Sequence, residues 1–220
     1  MTRSEKIYTS LCVIFSVLIV VNNLIYQKFV TLSVLPFHTF ELSIGAILYP
    51  LTFLLSDLIA EFYGKERATF CVRFAMAMNI MVAIIIWGMD HLQATSWSKI
   101  SNDEFHKMFG AYSVAFTGSV LACYIAQQVD IRIYLGIKKL TNDKWLWLRN
   151  SGSTAISLFV DTSIVIGFMC FFDILPFERM ISLILNSYSF KLFFVLCNTP
   201  LFYVYVWVIR KLINSNNFRR

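Results

Sequence analysis

The sequence predicts an all-α, polytopic membrane helix bundle with six transmembrane helices and both termini in the cytoplasm. Three observations carry that expectation. Of 220 residues, 58% are hydrophobic and only 15% charged, against roughly a quarter charged in a soluble domain. Mean hydropathy is +0.66, and 21 residues are Phe. At ~20 apolar residues per span, the chain's apolar content supplies about six crossings. This balance excludes a disordered chain, a coiled coil and a secreted disulfide scaffold, and leaves no room for a large catalytic or ATP-binding domain.

Taken in order, apolar runs fall at 7–26, 42–63, 68–89, 110–136, 153–172 and 187–209. Each is long enough to cross ~30 Å of hydrocarbon as a helix, and none has the period-two alternation of a barrel strand. The first run follows Arg3 and Lys6, as a signal peptide would. Its apolar stretch is too long for one, and Val20 to Leu24 offers no small-residue cleavage site, so it reads as a span. The second ends at Gly64, where a short basic turn leads into the third. The 90–109 connection mixes Trp97, Phe105 and Met108 with Asp103, Glu104 and Lys107. It is either an interfacial helix over the outer mouth or an ordinary loop. The whole chain, 1–220, reads as one integral-membrane domain.

Orientation follows from the basic residues. With six spans, the N-terminus, the 64–67 turn, the 137–152 loop and the C-terminus share a side. That side holds twelve Lys and Arg, including Arg149, Arg219 and Arg220, and the opposite connections hold four. The asymmetry places the richer side in the cytoplasm. It also accounts for the net charge of +6 through anionic lipid headgroups, with no nucleic-acid partner. Cys12, Cys71, Cys123, Cys170 and Cys197 lie in apolar runs without a C-x-x-C, and the histidines His38, His91 and His106 are scattered. No metal and no cofactor is expected.

Ionisable side chains inside a bilayer cost ~2.5–3.5 kcal/mol each even on a lenient scale, and so turn inward. Asp57, Glu61, Arg73, Asp130, Arg132, Asp161 and Lys191 all fall within the runs, with Asn22, Asn23, Gln127, Gln128 and Asn198 beside them. Asp57 and Glu61, four apart, share a helix face. Folding at Gly64 brings Arg73 level with Asp57, and a structural Asp57–Arg73 ion pair is the expectation. Cys123, Gln127, Asp130 and Tyr134 make one polar stripe, with Arg132 nearly opposite. Thr154, Ser157 and Asp161 make a second. By helical rise, Asp57, Asp130 and Asp161 each sit about 10 Å from the cytoplasmic surface. Lys191 lies near the outer end, where it either snorkels outward or supplies a cation to a binding pathway.

Four blocks resemble a known family. The block at 49–68, YPLTFLLSDLIAEFYGKERA, resembles the signature of the queuosine-precursor transporter family of the YhhQ type. So do ACYIAQQVDIRIY at 122–134, WLRNSGSTAISLFVDT at 147–162 and, more weakly, YSFKLFFVLCNTPLFY at 188–203. The resemblance implies a bacterial inner-membrane importer of 7-deazaguanine bases for tRNA queuosine salvage. The implied cargo is 7-cyano- or 7-aminomethyl-7-deazaguanine or queuine. It also implies a likeness to the membrane subunits of vitamin uptake systems.

A deazaguanine presents a ring N–H beside an exocyclic amine, which one carboxylate accepts together, and a carbonyl that wants a donor. Asp130, Asp161, Gln127 and Asn198 are therefore the expected base-reading site, with Lys191 or Arg132 tuning its charge. Asp57, Glu61, Arg73 and Arg132 are expected in gating, coupling or structural ion pairing. The depth of the carboxylates leaves an exit pathway, a gate or a proton relay open as their role. Two further readings remain: a capture subunit needing separate coupling partners, and an intramembrane aspartyl-type enzyme. The latter lacks a Gly-x-Gly-Asp pair and any zinc signature, and the chain is not expected to be an enzyme. Gly118-x-x-x-Ala122 would permit close helix approach within a chain or in a homodimer.

Overall fold

The computed structural model describes residues 2–25, 28–35, 38–110, 113–173 and 175–214. Arg219 and Arg220 lie outside them. The chain runs α1 (Arg3–Ile25), the hairpin β1 (Phe29–Leu35) and β2 (His38–Ser43), then α2 (Ile44–Asp90). A short α3 (Asn102–Phe105) leads through a π-helical turn to α4 (Ser113–Leu140), α5 (Leu146–Phe171) and α6 (Met180–Asn214). Five of the described helices, α1, α2, α4, α5 and α6, are long and apolar enough to cross a membrane.

The 47 residues of α2 would extend about 70 Å if straight, twice the hydrocarbon thickness. Gly64 breaks the helix with φ 79° and ψ −179°, a conformation open essentially to glycine alone. The arms, 44–63 and 65–90, both line α1 in opposite directions. Ile44 N–H donates to the Lys28 carbonyl just beyond the end of α1, and Tyr63 Oη donates to the Ser4 carbonyl at its start. The second arm then climbs α1 again. Tyr8 Oη donates to the Arg67 carbonyl at 3.0 Å, and the Cys71 thiol meets that of Cys12. Arg67 lies over the Tyr8 and Tyr63 rings, clamping the turn. Phe15, Ile19, Leu58, Ile59, Val72 and Ala75 bury together between the arms and α1.

Polarity is inverted relative to a soluble protein. Val13, Phe70, Ile84, Phe159, Leu185 and Trp207 face outward, while Asp57, Gln127, Asp130, Arg149, Ser153 and Asp161 are buried. Lipid-facing apolar surface around a polar interior is what a bilayer solvent demands.

Several boundaries differ from the expectation. Asn142, Asp143 and Trp145 take left-handed backbone angles and compress the connection after α4, so α5 starts at Leu146 and not at 153. Arg149 is thereby a buried helical residue, 1% exposed, and not a loop cation. Likewise α6 starts at Met180 and not at 187, which moves Lys191 eleven residues into the helix. Between α1 and α2 lies an antiparallel hairpin pairing Val30 with Leu42 and Leu32 with Phe40, so Leu42 and Ser43, expected to open the second span, belong to β2. Phe40 and Leu42 pack on Phe190 of α6.

The 90–109 connection holds one turn of helix with every α3 residue at least partly exposed, and Trp97 is 82% exposed. Ser101 and Glu104 form a capping box there. The Ser101 backbone N–H and hydroxyl hold the Glu104 carboxyl below its usual range. Gly118 serves contact within the chain: a Cβ there would overlap the Phe168 ring of α5.

Candidate functional site

The first arm of α2 turns Tyr49, Thr52, Asp57 and Glu61 toward α4, α5 and α6. Twelve residues separate the first from the last, about 18 Å of rise. Each meets partners from other helices, building a ladder of three buried polar layers.

In the layer nearest the hairpin, Lys191 of α6 donates to Asp161 Oδ2 of α5 at 2.8 Å and to Thr162 Oγ1 at 3.1 Å. Tyr49 Oη donates to Asp161 Oδ1 at 2.6 Å, and the Lys191 ammonium stands 4.9 Å from the Tyr49 ring centre. The Lys191 and Asp161 side chains are 9% and 4% exposed. Lys191 therefore does not snorkel; the longer α6 brings it to the carboxylate.

The middle layer is rich in unsatisfied acceptors. Gln127 Nε2 reaches Thr52 Oγ1 at 3.4 Å. Asn150 Nδ2 donates to Asp57 Oδ2 at 2.5 Å, with Thr154 Oγ1 at 3.5 Å. Ser157 Oγ donates to Asp130 Oδ1 at 2.8 Å. The Asp57 and Asp130 carboxyls lie within hydrogen-bonding reach of each other. Asp57 Oδ1, Asp130 Oδ2 and Gln127 Oε1 have no hydrogen-bond partner, although all three residues are 0% exposed. Native proteins rarely leave such groups orphaned without a reason.

The third layer surrounds Glu61, 4% exposed. Arg149 Nη2 of α5 donates at 2.7 Å, Lys138 Nζ of α4 at 3.0 Å and Arg210 Nη2 of α6 at 3.3 Å. Tyr134 Oη adds a bond at 3.1 Å. Asp143 Oδ1 joins from the surface, 3.5 Å from Arg149 and 3.7 Å from Lys138. One carboxylate thus ties four helix segments together at the end of the bundle where α1 begins.

The expected Asp57–Arg73 pair is not formed. Arg73 is exposed on the second arm, which climbs α1 on its far side, and Asp57 turns to Asn150. Asp130 meets Asp57 and not Asp161, since Asp161 lies a turn beyond Ser157 on α5. Arg132 is exposed and touches no layer. Asn198 is half-buried, without a hydrogen bond to a described residue. Sequence reasoning missed Tyr49, Thr52 and Lys138 and left Arg149 and Asn150 outside the spans. The Trp-Leu-Arg-Asn stretch at 147–150 was the available signal for the last two.

A multi-pass helical bundle with charged and amide side chains gathered inside it defines the class as a polytopic membrane protein with a polar interior. The family described as "Putative vitamin uptake transporter" matches residues 43–205, which include every rung of the ladder except Arg210. The chain belongs to that family. It is 28% identical over 175 residues to the Bacillus subtilis (strain 168) protein named "Probable queuosine precursor transporter", covering 79% of this chain and 74% of that one. It is 24% identical over 177 residues to the "Queuosine precursor transporter" of Escherichia coli (strain K12), covering 79% and 75%. No solved structure matches the chain.

Proposed function

We propose that this chain imports 7-deazaguanine bases across the bacterial inner membrane for queuosine salvage, as a single domain crossing six times with both termini cytoplasmic. The two arms of α2 provide the second and third crossings. The Glu61 layer, beside the N-terminus and the basic 137–152 connection, then faces the cytoplasm, and the hairpin faces outward.

One observation carries the binding reading: Asp57 Oδ1, Asp130 Oδ2 and Gln127 Oε1 are buried acceptors without donors. A ligand rich in N–H groups supplies what they lack, and a deazaguanine is such a ligand. One turn outward, Asp161 and Lys191 offer an acceptor beside a donor. That arrangement matches a ring N–H and amine adjoining a carbonyl. The two layers are about 6 Å apart along α5, from Ser157 to Asp161, and about 12 Å apart along α2, from Asp57 to Tyr49, a span that a bicyclic base with its 7-arm bridges. This reading gives Asn198 and Arg132 no contact role, since neither forms a hydrogen bond or ion pair with these groups among the described residues. The Glu61 cluster then closes the cytoplasmic end, and cargo leaves when its ion pairs part.

The test is uptake by an Asp130→Asn variant at matched membrane abundance. Loss of uptake with normal abundance supports the site, and normal uptake removes Asp130 from it. The purified chain in vesicles without ATPases separates the remaining alternative: accumulation there speaks against a capture subunit that needs a coupling partner.

A further inference from the structure

Among its described residues the middle layer holds two acidic side chains and no cation, and this bears on which base it takes. Asp57 and Asp130 face each other in the interior, both 0% exposed, and among the described residues no Lys, Arg or His forms an ion pair with either. The nearby cations are engaged elsewhere: Lys191 with Asp161 at 2.8 Å and Arg149 with Glu61 at 2.7 Å. Asp57's donors are an amide and a hydroxyl, those of Asn150 and Thr154, and Asp130's is the Ser157 hydroxyl. Each carboxyl keeps one oxygen free, and Gln127, one turn along α4 from Asp130, keeps its carbonyl oxygen free as well. Two carboxyls this close can share one proton; a compact positive group with several donors can take that proton's place and reach the free oxygens as well.

We infer that Asp57 and Asp130 together form an ammonium-binding subsite that makes this chain selective for deazaguanines bearing a cationic amine on the 7-arm over neutral ones. The proposal rests on the transport reading above and sharpens it. An alkylammonium has three N–H donors, matching Asp57 Oδ1, Asp130 Oδ2 and Gln127 Oε1 in number. With the arm held there, the ring extends one turn outward to Asp161 and Lys191. A nitrile arm has no donor, so it leaves Gln127 Oε1 unpartnered and the two carboxyls with only each other.

The experiment measures competitive binding to the purified full-length chain in nanodiscs. The probes are 7-aminomethyl-, 7-hydroxymethyl- and 7-cyano-7-deazaguanine. The aminomethyl base is expected to bind about tenfold to a hundredfold more tightly than the other two, the range of a charge-assisted hydrogen bond. The hydroxymethyl base is neutral and of similar size, so it separates charge from fit. In Asp57→Asn and in Asp130→Asn the preference is expected to fall toward unity. Equal affinities in the unaltered chain, or a preference that survives in both variants, overturn this proposal alone. The three affinities of the unaltered chain decide the matter even if a variant fails to fold. Binding of none of the three overturns the transport reading and this proposal with it.

Discussion

Removing the charge of Lys191 tests the outer layer most sharply. Lys191→Met keeps the aliphatic stem but leaves Asp161, 4% exposed, with Tyr49 Oη as its remaining donor. Losing one partner of a buried ion pair costs about 3–5 kcal/mol, chiefly through the stranded charge. For a chain of this size each kcal/mol moves the unfolding midpoint by about 2–4 °C. The midpoint is therefore expected to fall by roughly 6–20 °C. Asp161→Asn alone strands the Lys191 ammonium against Thr162 and the Tyr49 face and is expected to cost a similar amount. The double variant removes both charges and is expected to recover to within about 1–2 kcal/mol of the parent, because an uncharged pair carries little desolvation penalty. The assay is thermal unfolding by intrinsic fluorescence in one detergent, run as a complete double-mutant cycle. A loss below about 1 kcal/mol in Lys191→Met, or strict additivity in the double variant, would refute the buried pair.

Three further outcomes follow from the same architecture. Gly64→Ala is expected to cost about 1–3 kcal/mol from backbone strain alone, since no atom lies within 4 Å of the added Cβ; an unchanged midpoint would mean the turn has another conformation. A short thiol cross-linker is expected to join Cys12 to Cys71 in membranes, seen as a linked peptide by mass spectrometry. Its absence would put the second arm of α2 away from α1. Glu61→Gln leaves buried Arg149, 1% exposed, with the surface Asp143 at 3.5 Å as its remaining ionic partner, and is expected to destabilise by up to about 3–5 kcal/mol, with faster proteolysis between α4 and α5. Parental protease resistance would show that the cluster does not fasten that end.

The helices were legible because hydropathy reports what meets lipid, and α1, α2, α4, α5 and α6 are lipid-faced along most of their length. Their ends were less so. Leu146 to Gly152 carries an Arg, an Asn and a Ser that hydropathy reads as loop, yet the bundle buries Arg149 and Asn150 against Glu61 and Asp57. The same blindness shortened α6 and left Lys191 at the surface. The hairpin has a period-two pattern in Val30, Leu32 and then Phe40, Leu42, but its strands are too short to register as spans, and the end of β2 overlaps the start of the second apolar run. Asp130 and Asp161 were visible as expensive charges. Their partners were not, because helix spacing fixes which residues share a face and leaves open which helix that face meets. Spacing thus assigned Asp57 to Arg73, whereas the fold gives it Asn150 and Asp130. Tyr49 was hidden among many aromatics, and only the 2.6 Å contact with Asp161 distinguishes it.

The most direct measurement expresses the chain in a bacterium that neither synthesises queuosine nor has its own importer, and feeds each deazaguanine at nanomolar concentration. Queuosine in tRNA is the readout. The account predicts restoration by the aminomethyl base at concentrations where the cyano base gives little, and loss of restoration in Asp130→Asn. No restoration by any base, with the protein abundant in the membrane and active coupling partners supplied, would contradict it.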